Sequence, residues 1–168
     1  MPTMQKIDDL LAALPERHRF ALAWFTQNAG TVQSWPPPLD TPQGSTLIAT
    51  KAKGIYKPAW TDYALSVRET LDGQYADKEP LMREDATWLY RYFQENPDPA
   101  MRDKEYTNRG LMLCIRDKVP VGVMRQLHPK PRVAYKVLGL AMVSGWDSGY
   151  FLLEGFSPHG EARPPSPR

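Results

Sequence analysis

What constrains this chain most is the punctuation of its second half. From residue 46 onward, short apolar and aromatic runs recur between turn signals. The runs are 46–49 (TLIA), 63–68 (YALSVR), 88–93 (WLYRYF), 119–126 (VPVGVMRQ), 135–144 (YKVLGLAMVS) and 150–156 (YFLLEGF). Their β-branched and aromatic content and two-residue alternation predict strands. The turn at 145–149 (GWDSG) predicts a hairpin between the last two. Five or more short strands separated by turns specify a curved sheet or a small barrel.

Two zones precede this one. Residues 4–28 read as helix, with Ile7, Leu10, Leu11 and Leu14 at helical spacing, then Phe20, Leu22, Trp24 and Phe25. Pro15 suits the start of a second helix, so a helical hairpin is expected over 1–28. It either packs on the main domain or recruits a partner through Trp24, Phe25 or Trp35. Residues 29–45 hold Trp35, Pro36, Pro37, Pro38, Pro42 and Gly44 and read as a linker. A domain is expected over 46–157, and a disordered tail or linker over 158–168. Within the domain, 108–116 (NRGLMLCIR) fits helix and strand equally. The fold class expected is α+β: a curved sheet or small barrel with flanking helices, preceded by a helical hairpin.

The chemistry of catalysis is missing from this pattern. His18, His128 and His159 do not fall in a zinc-ligand spacing and are expected at the surface. Glu84 and Asp85 are adjacent, so on an extended chain they face apart. No phosphate-cradling glycine loop occurs. The single cysteine, Cys114, sits in an apolar run and is expected as a buried thiol. One cysteine permits no internal disulfide, which suits a reducing cytoplasm. The N-terminus lacks the basic flank of a signal peptide, and no apolar run reaches membrane-spanning length. A net charge of +2 does not by itself mark a nucleic-acid binder. No catalytic residue, metal or cofactor is expected.

Aromatic residues, by contrast, accumulate: Tyr56, Trp60, Tyr63, Tyr75, Trp88, Tyr90, Tyr92 and Tyr106. Each taken singly is an ordinary sheet residue. As a group they suit a site that reads a base outside its duplex, which needs π-faces on both sides and polar groups at the Watson–Crick edge. Tyr75-Ala76-Asp77 places one stacking ring and one acceptor within three residues.

Several segments, in order, resemble the SRA (SET and RING associated) domain, a PUA-like fold that binds 5-methylcytosine in DNA. They are Lys53-Gly54-Ile55-Tyr56, Tyr63-Ala64-Leu65-Ser66-Val67, Gly73-Gln74-Tyr75-Ala76-Asp77, Leu89-Tyr90-Arg91-Tyr92, Tyr106-Thr107-Asn108-Arg109-Gly110-Leu111, Pro120-Val121-Gly122-Val123-Met124-Arg125 and the closing pair Tyr135-Lys136-Val137 and Gly149-Tyr150-Phe151-Leu152. The stretch is most similar to the SRA-like reader domain of bacterial modification-dependent HNH restriction endonucleases, although no HNH signature is present. The resemblance implies a base pocket of Gly73, Tyr75, Asp77 and either Tyr90 or Tyr92. It implies double-stranded DNA with a modified cytosine as partner, and a dimer or an attached nuclease domain. Candidate backbone and groove contacts are Lys51, Ala52, Lys53, Lys57, Trp60, Arg68, Arg91 and Arg109. The chain departs from the family at the pocket: Asp77 follows Tyr75 by two positions where the family's aspartate follows by three, and Lys78 holds the third. Readers of 5-hydroxymethylcytosine, N6-methyladenine, phosphorothioate DNA or RNA, and a protein-interaction module, are the alternatives.

Overall fold

A long, bent strand organises the molecule. The structure, a computed structural model, describes residues 4–71 and 79–163. In chain order the elements are β1 (Gln5–Lys6), α1 (Ile7–Ala12), α2 (Glu16–Gln27), β2 (Val32–Gln33), β3 (Leu39–Thr41), β4 (Gly44–Thr46), β5 (Ile55–Tyr56) and β6 (Ser66–Glu69). Then come β7 (Leu81–Met82), β8 (Trp88–Phe93), a 3-10 helix (Pro99–Lys104), α3 (Tyr106–Asp117), β9 (Val121–His128), β10 (Ala134–Asp147), β11 (Tyr150–Gly155) and β12 (Glu161–Ala162). The main sheet runs β5-β6-β9-β10-β11-β8-β7, with β2 also on β10. Its pairs are antiparallel except β6 with β9. Register shifts break β10 at three places, and each bulge sharpens the twist. The result is the α+β arrangement expected, a strongly curved sheet with flanking helices that does not close into a barrel.

β6 and β9 are buried on both sides because the chain is layered. Leu65 and Met124 point into one core with Ile7, Leu11, Leu22 and Phe25 of the helices. Val67 and Val123 point into a second core, inside the curl, with Tyr90, Tyr92, Phe151 and Leu153. α3 seals that second core with Leu111 and Cys114. α2 can lie close on β9 because a side chain at Gly122 would overlap the Phe25 ring. Burying a ring such as that of Phe25 stabilises by about 1.5–3 kcal/mol.

Several expectations change against this framework. Trp24 and Phe25 are buried in the core and Trp35 is half-buried, rather than exposed. The hairpin 4–28 shares its core with the sheet. The stretch 29–45 is not a bare linker: β2 pairs with β10, and β3 with β4. Residues 47–49 are irregular rather than a strand, yet Ile48 and Ala49 are buried. The tail forms structure as far as β12, which pairs with β1. The ambiguous stretch 108–116 is helix, in α3. His18 is 1% exposed rather than at the surface. Its ring meets Trp60 edge-on at 5.8 Å, and burial holds it down to about 4. His128 and His159 are exposed, as expected. Cys114 is a buried thiol donating to the Ala64 carbonyl at 3.5 Å, and burial pushes it up.

Candidate nucleic-acid interface

The two ends of the sheet approach one another without pairing. β5 begins at one end; β8 lies near the other. A β-carbon on Gly54 would overlap the Tyr92 hydroxyl, so only glycine lets the seam come this close. The Ile55 N–H donates across it to Glu95 Oε1 at 3.2 Å. The Arg68 N–H donates to the Gly54 carbonyl at 2.7 Å. A cavity of about 300 Å³ opens at this seam, lined among others by Gly54, Arg68, Glu69, Thr70, Tyr92 and Glu95. That volume is at the lower end of small-ligand sites.

Its polar lining includes Arg68, Glu69 and Thr70 at the end of β6 and Gln94, Glu95 and Asn96 after β8. Register puts Glu69 of β6 opposite Arg125 of β9. Both are nine-tenths or more buried. Burial pushes the Glu69 carboxyl up to about 7, with the Arg125 guanidinium opposing. Arg125 donates to Glu79 at 2.9 Å and to the Tyr90 hydroxyl. Burial, then the nearby Glu69 carboxyl, raises Tyr90 above the usual phenol range. Tyr90 and Tyr92 share one face of β8, as alternation requires. Tyr92 borders the cavity, whereas Tyr90 stands behind it against Arg125.

The expected pocket residues Gly73, Tyr75 and Asp77 lie outside the described residues. The residues that bracket their segment are both tied to β9. The Leu71 N–H donates to Gln126 Oε1 at 3.0 Å, and Glu79 holds Arg125.

The expected cations divide. Lys51 and Ala52 are exposed and Lys53 is half-buried. Their loop is fastened from below by Arg68, whose Nη2 donates to the carbonyls of Thr50 (3.2 Å), Lys51 (3.4 Å) and Lys53 (3.4 Å). Arg68 is therefore a buried strut, stacked near Trp35 at 5.6 Å. Lys51 lies 5.2 Å over Trp35 and Lys53 5.3 Å over Tyr106, each held by an aromatic face. Lys57 is half-buried and donates to the Pro58 carbonyl at 2.9 Å. Trp60 packs on His18 and under Arg17, so it belongs to the helical side. Arg91 is exposed over Tyr150, on the face of β8 opposite Tyr92 and away from the cavity. Arg109 is exposed on α3, donating to the Asp103 carbonyl at 3.3 Å.

Glu69, Arg125 and Glu95 were not among the residues singled out. One signal was available: an arginine and a glutamate within apolar strand runs (SVRE and VGVMR) are unexpected unless a site needs them.

No family profile and no curated protein sequence matches the chain. Solved structures that match include a KRYPTONITE complex with mCHH DNA, H3(1-15) peptide and SAH, at 19% identity and TM-score 0.38, covering 67% of this chain. A second KRYPTONITE complex, with mCHG DNA and SAH, matches at 20% identity and TM-score 0.33 over 63% of this chain. This chain spans about a quarter of those two chains, 27% and 24%. The complex of SUVH5 SRA with fully methylated CG DNA matches at 17% identity and TM-score 0.39, over 83% of this chain and 99% of that one. Likenesses this distant assign no ligand to this chain.

Proposed function

We propose that the chain binds double-stranded DNA containing a modified cytosine, 5-methylcytosine first among them, and holds that base outside the duplex in the seam cavity. The observation that supports this most is the cavity itself. It combines a tyrosine wall, a buried carboxyl and a lysine loop fastened at its side. Tyr92 serves as one stacking face. The resemblance of 73–77 to the family's pocket loop supports Tyr75 as the other, with Gly73 and Asp77 beside it. Lys51 and Lys53 meet phosphates.

The energetics are consistent. Flipping costs a few kcal/mol. Each aromatic stack returns ~1–3 kcal/mol. A methyl group filling an apolar niche adds on the order of 0.8 kcal/mol, or about fourfold in affinity. Phosphate contacts supply sequence-independent affinity that salt weakens. In this reading the chain is a recognition module without catalysis of its own, serving a modification-dependent restriction endonuclease.

Fluorescence polarisation at fixed salt, with matched duplexes carrying cytosine, 5-methylcytosine, 5-hydroxymethylcytosine or N6-methyladenine, tests the reading. The expected result is a preference of about fourfold or more for a modified-cytosine duplex. Tyr92→Ala should lower that affinity by ~1–3 kcal/mol. Tyr92→Phe, which keeps the ring, should retain most of it, with melting curves showing both variants folded. Equal, salt-sensitive binding to all four duplexes would refute the proposal.

A further inference from the structure

The lysine loop is braced by a ring from the stretch 29–45. The centroid of the Trp35 ring lies 5.2 Å from Lys51 Nζ and 5.6 Å from Arg68 Cζ. The same ring meets Tyr135 edge-on at 5.4 Å. Pairing and sequence deliver it there. β2 ends at Gln33, which pairs with Tyr135, so the chain leaves the sheet beside that tyrosine. Pro36 then biases Trp35 toward extended backbone. Lys51 and Arg68 carry like charges, and among the described residues neither forms an ion pair. Backbone carbonyls hold Arg68 only in part, since a single nitrogen, Nη2, serves Thr50, Lys51 and Lys53 at 3.2, 3.4 and 3.4 Å. The face of Trp35 offers both cations an attraction that a carboxylate would otherwise supply. Trp35 stands ahead of the span 46–157 that resembles the SRA domain, and it is not among the described residues that line the seam cavity.

We propose that Trp35 is a positioning residue for DNA binding: by holding Lys51 and Arg68 against its ring, it fixes the lysine loop in the place where that loop meets the phosphate backbone. This rests on the DNA-binding reading above. A free lysine surrenders much rotamer freedom when it meets a phosphate, and one already held over an aromatic face surrenders less. Arg68 carries the same restraint into the backbone of the loop, through the carbonyls on either side of Ala52. The phosphate backbone is common to every duplex, so Trp35 acts on affinity and its salt dependence. Preference for a modified base, set in the seam cavity, is left alone.

The test is a salt series of polarisation titrations on the 5-methylcytosine duplex and the unmodified duplex, with melting curves for every variant. Trp35→Leu keeps an apolar side chain against Tyr135 but removes the π-face. It should weaken binding to both duplexes alike, by about two- to fivefold, and lower the log–log salt slope by about 1. Trp35→Phe, which keeps a ring, should retain most of the wild-type affinity and slope. In a chain that already carries Lys51→Ala and Lys53→Ala, Trp35→Leu should change neither quantity further. A folded Trp35→Leu variant with wild-type affinity and slope overturns the proposal, as does a loss equally large without the two lysines; either leaves the base-binding reading standing. Equal wild-type binding to the two duplexes, together with a lysine-dependent effect of Trp35, supports the proposal and sinks the base reading alone. A wild type that binds neither duplex overturns both.

Discussion

Two buried titratable side chains set the residue-scale behaviour, and they work in opposite directions. His18 is held down to about 4 by burial. The unfolded chain takes up a proton at the ordinary histidine value near 6.5, which the folded chain refuses until about 4. That contribution to stability is lost as pH falls through the interval. Glu69 is pushed up to about 7 by burial, so the folded chain holds a proton that the unfolded chain releases above its ordinary value near 4.3. Its contribution is present at low pH and lost as pH rises through about 7. Between pH 7 and pH 5 each amounts to about 2 kcal/mol of opposite sign, so the wild type should be nearly flat there. Urea unfolding at the two pH values separates them. Glu69→Gln should lose about 2 kcal/mol on acidification, and His18→Leu should gain about as much. A flat response in both variants would show that neither group is buried in the form described.

At the scale of elements, the seam depends on glycine. Replacing Gly54 by alanine places a methyl group on the Tyr92 hydroxyl. The sheet ends must part or Tyr92 must move, at a cost of about 1–3 kcal/mol. Modified-duplex binding should fall with it. Tyr92→Phe in the same chain removes the obstructing oxygen and should restore part of both losses, measured by melting and by polarisation. Additive losses in the double variant would show that the two residues are not opposed across a seam. Elements of this kind were unequally legible in the sequence. β8 coincides with the aromatic run read from 88–93, because alternation and β propensity agreed there. α3 was ambiguous because its buried residues Thr107, Gly110, Leu111 and Cys114 satisfy helical spacing while the run is also rich in strand formers. β2 and β3 escaped notice because such short strands are defined by their partners. Gln33 lies opposite Tyr135, far away in sequence, and no local pattern announces that.

For the whole molecule, the curved sheet and its flanking helices were legible, since strand count and turn spacing force curvature. What local sequence does not contain is the meeting of the sheet's ends. Glu69 and Arg125 face one another only because β6 and β9 run parallel, and Tyr92 meets Gly54 only because three bulges bend β10. Of the tyrosines and lysines the sequence pointed to, Tyr92 lines the cavity, and Lys51 and Lys53 lie on the loop that Arg68 fastens. The sequence also offered Arg68, Trp60 and Arg91, which the layering turns into a strut, a core contact and an outward cation. α1 and α2 share one core with the sheet, while Tyr92 of the site sits in the second core, which α3 seals. The most direct test is a crystal structure with a duplex carrying one 5-methylcytosine. That base should be rotated out of the helix and held in the seam cavity, with one face on the Tyr92 ring. A bound duplex with the modified base still stacked, and the seam cavity empty, would contradict the base-binding reading.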